Sequence, residues 1–222
     1  MRKWSLILDF DSTIITKESF DVLSEIILSK NLNSDKITYK IKELTRLGME
    51  GEITFQESLT RRLELLNLTP EYIAELSRLV LTMVSPSFCN KEKWFRENTD
   101  DIFIFSGGFR DVVTPVAKIL GMRSENIYAN DLIFKDGKFQ GIDENNPLSK
   151  SCGKLNLAKL LKLNTEIIMV GDGITDAEVK RLDKEVTFFA FTENVHRETV
   201  INIADYVVDD FNDVLVFIDN LK

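Results

Sequence analysis

Short apolar runs recur along the chain, and segments with apolar residues every three or four positions separate most of them. The runs predict buried strands and the three-to-four spacing predicts helices. The predicted strands are Trp4 to Leu8, Asp101 to Phe105, Glu166 to Val170, Val186 to Phe191 and Tyr206 to Val208. The predicted helices between them are Val112 to Leu120, Leu155 to Leu163 and Asn194 to Ala204. This alternation predicts an α/β fold, a parallel sheet covered by helices on both faces.

The segment 15–86 breaks this rhythm, because it contains helical patterns and no convincing strand. Two of these patterns are Phe20 to Ser29 and Phe55 to Leu66. We therefore predict a core formed by residues 1–14 and 87–222, with a helical insertion at 15–86 after the first strand. Alternating residues around Asp136-Gly137, within Ile127 to Gly141, predict a small hairpin flap.

Composition narrows the class of protein. Hydrophobic residues make up 44% and charged residues 29%, which is typical of a globular protein. The formal charge is -8 and the basic residues are dispersed, which argues against nucleic acid as a partner.

The apolar run before Asp9 is too short for a signal peptide or a membrane span, so we expect a cytoplasmic protein. Cys89 and Cys152 lack metal-ligand spacing and are expected to be free thiols.

The first of four polar motifs is Asp9-Phe10-Asp11-Ser12-Thr13, directly after a predicted strand. Carboxylates two residues apart on an extended segment point the same way, so one can attack phosphorus while the other transfers protons. Helix capping by Asp11 or Ser12 is the alternative interpretation of so short a motif. A carboxylate at the end of a buried strand is costly without a partner, which favours a functional role.

The second motif, Ser106-Gly107-Gly108, follows another apolar run and precedes a predicted helix. Its glycines allow backbone N–H groups to approach a phosphate oxygen, although an ordinary strand-to-helix turn has the same sequence pattern. The third is Lys154 at a predicted helix start, where a lysine is usually solvated and Lys150 is a competing candidate.

The fourth motif is Gly171-Asp172-Gly173-Ile174-Thr175-Asp176, directly after the Glu166 to Val170 run. Asp172 and Asp176 supply hard oxygen ligands of the kind that Mg²⁺ prefers. A turn with capping acids is the alternative interpretation, and the clear strand before the motif argues against it.

In this order the four motifs resemble those of the haloacid dehalogenase-like phosphatases, across essentially the whole chain. The closer resemblance is to the phosphoserine phosphatase family. It rests on Glu18 after the first motif, on Met49-Glu50-Gly51, and on Phe55 to Arg62 in the insertion. Ser106 to Phe109 and Tyr128 to Phe134 are also similar to that family. The resemblance implies a doubly wound parallel sheet of the Rossmann-like type, with a helical cap that sets substrate specificity.

The resemblance also implies a reaction. Asp9 would form an aspartyl-phosphate, and Asp11 would protonate the leaving oxygen and then activate water. Mg²⁺ would be held by Asp9, by the backbone carbonyl of Asp11 and by Asp172. The expected substrate is phosphoserine, in the context of serine biosynthesis, and the expected protein is a monomer or a homodimer.

The remaining implied roles concern binding. Ser106, Gly107 and Lys154 would bind the phosphoryl oxygens, Thr175 would bond a substrate oxygen, and Asp176 would support the metal site or the lysine.

In the cap, Glu18 would pair with the amino group of phosphoserine and Arg62 with its carboxylate, for which a planar guanidinium is well matched. Spacing from Phe55 favours Arg62 over Arg61; without the resemblance both would be interpreted as a solvated helix face. Met49 and Phe55 would exclude water, although core packing explains them equally well.

Three alternatives to phosphoserine hydrolysis are open. The first is a phosphatase or phosphotransferase of the same fold that acts on another small ester, such as phosphohomoserine. The second is a phosphoserine-binding protein without catalytic activity, which the complete set of expected catalytic residues disfavours. The third, a calcium-binding module, is disfavoured because the carboxylates are far apart in sequence rather than in one loop.

Overall fold

A parallel sheet lies at the centre of the computed structural model, which describes residues 4–30, 34–49, 52–163 and 166–221. The strands of the described chain are, in order, β1 (Trp4–Leu8), β2 (Ile102–Phe109), β3 (Ile127–Asn130), β4 (Leu132–Lys135), β5 (Lys138–Ile142), β6 (Glu166–Gly171), β7 (Glu185–Phe191) and β8 (Tyr206–Val208). Six of them form one sheet in the order β3-β2-β1-β6-β7-β8, and every pairing in it is parallel. The predicted α/β fold with a parallel sheet is confirmed.

Helices cover both faces of this sheet. The described α-helices are α1 (Ser19–Leu28), α2 (Ser34–Met49), α3 (Phe55–Leu65), α4 (Pro70–Val80), α5 (Glu92–Asn98), α6 (Arg110–Ile119), α7 (Gly153–Leu160), α8 (Ile174–Ala177), α9 (Glu198–Ile201) and α10 (Phe211–Asn220). Alternate residues of β1 pack into different hydrophobic clusters. Leu6 and Leu8 pack on one face of the sheet, and Ile7 packs on the other. Burial on both faces explains why β1 is apolar at every position except Ser5.

The strand order reverses at β1, which pairs with β2 on one side and with β6 on the other. Ligands of open parallel sheets bind beyond the carboxyl ends of the strands at such a point. Three of the four predicted motifs, those following β1 and β6 and the one that ends β2, therefore meet at one edge. None of the described helices has the length and apolar character required to span a membrane.

Helices α1 to α4 lie between β1 and β2, as the helical pattern of the segment predicts. The chain enters and leaves this segment side by side: Ile15 pairs with Val84, and the N–H of Ser85 donates to the carbonyl of Ile14 at 2.9 Å. The division into a core (1–14 and 87–222) and a cap (15–86) stays a prediction.

The hairpin flap is only partly as predicted. β4 and β5 pair antiparallel around Asp136 and Gly137, whose φ angles of 50° and 73° are those of a tight hairpin turn. The first residues of the predicted flap, Ile127–Asn130, are not part of the hairpin. They form β3, a further parallel strand of the main sheet. Its four residues are too few to be recognised by alternation.

One strand is longer and one helix is shorter than expected. The strand predicted to end at Phe105 is β2, which continues through Ser106-Gly107-Gly108 to Phe109 with an irregular register against β3, so this motif forms the end of the strand. The helix expected over Asn194 to Ala204 is confined to the four residues of α9. Asn194 instead lies in an irregular segment, where its side chain donates to the main-chain carbonyls of Ser12 and Thr13.

Candidate active site

A buried lysine joins the first and fourth motifs. Asp9 follows β1 directly, and its Oδ1 lies 2.6 Å from the Nζ of Lys154. The same Nζ lies 2.5 Å from Oδ1 of Asp176. Burial alone would lower the pKa of Lys154, but the carboxylates of Asp176 and Asp9 raise it above its ordinary value. Lys154, with 6% of its surface exposed, is therefore a fixed cation in the site, whereas Lys150 is exposed.

Three buried carboxylates form a cluster that fits a divalent cation. One oxygen from each of Asp9, Asp172 and Asp176 lies within 4.8 Å of the others. Burial and the charge of Asp9 raise the pKa of Asp172 to about 6 and that of Asp176 to about 8. Burial and mutual repulsion therefore disfavour full ionisation of the three carboxyl groups, which a bound cation would favour.

The oxygens of this cluster differ in availability. Both oxygens of Asp176 accept hydrogen bonds, Oδ1 from Lys154 and Oδ2 from the N–H of Gly173 at 2.9 Å. The contacts described for Asp9 use its Oδ1, and the hydrogen bond described for Asp172 uses its Oδ2. Among the described residues, Oδ2 of Asp9 and Oδ1 of Asp172 are therefore left for a ligand. This arrangement favours Asp9 and Asp172 as metal ligands and Asp176 as the residue that fixes the lysine.

Asp11 lies at the same strand end as Asp9, and its carboxyl group has a raised pKa. The backbone is extended at both Asp9 and Asp11 before it turns at Ser12, whose φ of 54° is left-handed. Oδ1 of Asp11 accepts a hydrogen bond from the N–H of Ser19 at 2.8 Å. Burial, followed by the charges of Glu18 and Asp9, raises the pKa of Asp11 to about 8. A carboxyl group with that pKa carries a proton at neutral pH and can donate it.

The end of β2 provides a second wall of the site. The hydroxyl oxygen of Ser106 accepts a hydrogen bond from the N–H of Gly108 at 2.9 Å, so its own proton is free to be donated elsewhere. A side chain at Gly108 would lie 3.1 Å from Oδ2 of Asp11, which places this turn beside the proposed acid. The side chain of Asn130, at the end of β3, donates to the Gly107 carbonyl at 2.8 Å and holds the turn.

Arg197 links the fourth motif to Glu18, and the sequence analysis did not predict it. Its Nε donates to Oδ2 of Asp172 at 2.9 Å, and its Nη2 lies 3.2 Å from Oε1 of Glu18. That Glu18 oxygen also accepts a hydrogen bond from the hydroxyl of Ser12 at 2.7 Å. Arg197 lowers the pKa of Asp172 against the larger effect of burial.

Comparison with known proteins places the chain in a family. Residues 5–179 match the model of the haloacid dehalogenase-like hydrolases. The chain is similar to phosphoserine phosphatase of Homo sapiens, with 33% identity over 93% of this chain and 89% of the relative. The chain belongs to the haloacid dehalogenase-like hydrolases, within the phosphoserine phosphatase family.

Solved structures agree with this family. A phosphoserine phosphohydrolase-like protein from Francisella tularensis superposes with a TM-score of 0.79 at 32% identity, covering 96% of this chain and 98% of that one. A phospho-aspartyl intermediate analogue of phosphoserine phosphatase superposes with a TM-score of 0.69 at 25% identity, covering 97% and 98%. The family fold therefore extends over essentially the whole chain.

The residues predicted in the inserted helices are placed as follows. Glu18 lies immediately before α1, beside Ser12 and Arg197. Burial raises its pKa above the ordinary value. Arg62 lies on α3 with its guanidinium over the ring of Phe20. Thr175 is exposed at the start of α8. The side chains of Met49 and Phe55 lie outside the described part of the structure.

Asn194 is a second residue that the sequence analysis missed. Its amide nitrogen donates to the carbonyls of Ser12 and Thr13 at 3.1 and 3.2 Å, and to the hydroxyl of Ser85 at 2.7 Å. It therefore ties the loop after Asp9 to the point where the chain leaves the inserted helices. Asn194 and Arg197 both lie shortly after the end of β7, so the strand-end position that marked three of the four motifs also marks this segment.

Proposed function

We propose that the chain hydrolyses O-phosphoserine to serine and inorganic phosphate through an aspartyl-phosphate on Asp9. The observation that carries this proposal is the arrangement at the end of β1: the carboxylate of Asp9 is held by Lys154 while Asp11, with a raised pKa, lies two residues away. A fixed nucleophile beside a protonated acid is the pair that a double displacement at phosphorus requires. The similarity to named phosphoserine phosphatases supports the same reaction.

In the first half-reaction, the free oxygen of Asp9 attacks phosphorus and the bond from phosphorus to the serine oxygen breaks. Asp11 gives its proton to that oxygen, so serine leaves as a neutral alcohol. Lys154 and the hydroxyl of Ser106 bind the phosphoryl oxygens, and the N–H of Gly107 contributes a further donor. Asp176 keeps the ammonium group of Lys154 in position through the 2.5 Å contact.

In the second half-reaction, water attacks the phosphorus of the aspartyl-phosphate and the bond to the Asp9 oxygen breaks. Asp11, now a carboxylate, accepts the proton of the water, which restores both residues to their initial states. The raised pKa of Asp11 suits both directions of this transfer near neutral pH.

Magnesium is the proposed cofactor. Asp9, Asp172 and the backbone carbonyl of Asp11 would hold it, and these hard oxygen ligands suit Mg²⁺ better than a softer metal. When bound, Mg²⁺ neutralises charge between the carboxylate and the phosphate, which otherwise repel each other. Arg197 contacts Asp172 and would keep this ligand ionised.

Substrate choice is assigned to the inserted helices. Glu18 would pair with the substrate's ammonium group and Arg62 with its carboxylate. Met49 and Phe55 would cover the bound ester. Outside these helices, Thr175 would bond a substrate oxygen. The cap comprises residues 15–86 in this proposal. We also propose that the protein acts in serine biosynthesis, that it is cytoplasmic, and that it is a monomer or a homodimer.

A hydrolysis assay tests it. Phosphate release from O-phosphoserine is measured with Mg²⁺ and with EDTA, for the wild type and for Asp9→Asn. O-Phosphoethanolamine, which lacks only the carboxylate, is the matched substrate. We expect Mg²⁺-dependent hydrolysis that strongly favours phosphoserine and is abolished in Asp9→Asn. Equal hydrolysis of the two esters would refute phosphoserine as the substrate, and full activity of Asp9→Asn would refute the nucleophile.

A further inference from the structure

The guanidinium group of Arg62 lies over an aromatic ring, and the carboxylate of Asp21 is near enough to raise the pKa of Arg62 against the larger effect of burial. Its central carbon lies 4.4 Å from the centre of the Phe20 ring. Its Nε donates to the main-chain carbonyl of Ser58 at 3.3 Å, one turn earlier on α3. Within the described residues, no carboxylate lies at ion-pair distance from Arg62. The two terminal nitrogens therefore remain available for an incoming anion.

Phe20 connects this arginine to the reacting groups. The residue lies in the first turn of α1, next to Ser19, whose N–H donates to Oδ1 of Asp11 at 2.8 Å. Glu18, the proposed partner of the substrate's ammonium group, immediately precedes this helix. The ring is partly buried against the main hydrophobic cluster, which limits its freedom. One short segment thus orients the acid and the ring that supports Arg62.

A ring in this position restricts how the guanidinium can bind. An aromatic ring attracts a cation to its face, and the attraction is stronger where water is partly excluded. Burial also lowers the pKa of Arg62 from its ordinary value, which indicates that the group is partly removed from water. With one face covered and Nε occupied, the terminal N–H groups form the free edge, which matches a planar carboxylate with two hydrogen bonds.

We propose that Phe20 is a specificity-determining residue, because its ring orients Arg62 to bind the carboxylate of the substrate. This inference rests on the proposed function and deepens it. Phe20 need not touch the substrate; it acts through Arg62. Its contribution should therefore be confined to substrates that carry a carboxylate.

The test compares kcat and KM for O-phosphoserine and O-phosphoethanolamine in the wild type, Phe20→Leu and Phe20→Tyr. In Phe20→Leu we expect KM for phosphoserine to rise roughly 5- to 30-fold, with phosphoethanolamine changed less than about twofold. Phe20→Tyr retains the ring and should retain the wild-type ratio. Thermal unfolding establishes that each variant is folded, and Phe20→Met replaces Phe20→Leu if the latter does not fold.

Tyr72 provides a matched control, since the ammonium group of Lys30 lies 5.3 Å from its ring centre within the same helical segment. Tyr72→Leu should leave both substrates unchanged. An unaltered substrate ratio in Phe20→Leu, or an equal loss for both esters, would overturn the role of Phe20 while the proposed function stands. A wild type that does not prefer phosphoserine would instead refute the proposed substrate, and the role of Phe20 with it.

Discussion

Replacing Lys154 by Met should destabilise the metal-free protein in a way that depends on pH. The variant retains most of the side-chain volume but leaves Asp176, which is fully buried, without its cation. Removing one partner of a buried ion pair costs about 3–5 kcal/mol when the other remains ionised. Protonation of Asp176 reduces this cost, so the loss should be smaller at low pH.

The pH range follows from the pKa of Asp176, which is raised from 3.8 to about 8 in the folded protein. A raised carboxyl pKa stabilises the folded state fully below the unfolded value, and this stabilisation is lost as the pH rises through the folded value. Without Lys154 the folded pKa rises further. The stability difference between wild type and variant should therefore increase by up to about 1.4 kcal/mol per pH unit above about pH 8.

Urea unfolding in EDTA, at constant ionic strength between about pH 6 and pH 9.5, measures this difference. The double variant Lys154→Met with Asp176→Asn is the control, since it removes the buried carboxyl group and should abolish the additional pH dependence. A stability difference that is constant across this range, or one that persists unchanged in the double variant, would refute the account of Lys154 and Asp176.

Other substitutions test neighbouring parts of the site. Arg197→Met should raise the pKa of Asp172 further, so the Mg²⁺ concentration for half-maximal activity should increase about tenfold near pH 6.5 and much less near pH 8.5; an equal increase at both values argues against this. A methyl group at Gly171 would overlap Oδ2 of Asp176, so Gly171→Ala should lower the free energy of unfolding by about 1–3 kcal/mol in chemical denaturation, and unchanged stability would contradict the geometry. Gly107→Ala meets no atom within 4 Å, and should raise KM for phosphoserine without changing the unfolding temperature; an unchanged KM would remove Gly107 from the phosphate site.

Central strands could be predicted because burial on both faces leaves an apolar run, and Trp4 to Leu8 has the predicted bounds. Tyr206 to Val208 also has the predicted bounds, although it is an edge strand in which Tyr206 and Val207 are exposed. Three of the four motifs were found because they lie at strand ends, and Lys154 was found at the start of a helix. The resemblance favoured Lys154 over Lys150 from its position at the start of a helix. The structure adds the contact of Lys154 with Asp176, a residue 22 positions away along the chain, which no local pattern indicates.

The remaining features depend on contacts between distant parts of the chain. Arg197 is separated by 25 residues from Asp172, and Asn194 by 182 residues from Ser12. No local spacing indicates either contact, and the apolar pattern after β7 predicted a helix in their place. β3 was missed because four residues give too short a pattern.

The covalent intermediate on Asp9 is the central claim, and trapping it is the most direct test. Wild-type protein hydrolysing O-phosphoserine with Mg²⁺ is quenched in acid, digested and analysed by mass spectrometry, with Asp9→Asn in parallel. The account predicts a phosphorylated peptide in which the modified residue is Asp9, present in the wild type and absent from the variant. Phosphate on a different residue, or the same phosphopeptide from Asp9→Asn, would contradict it.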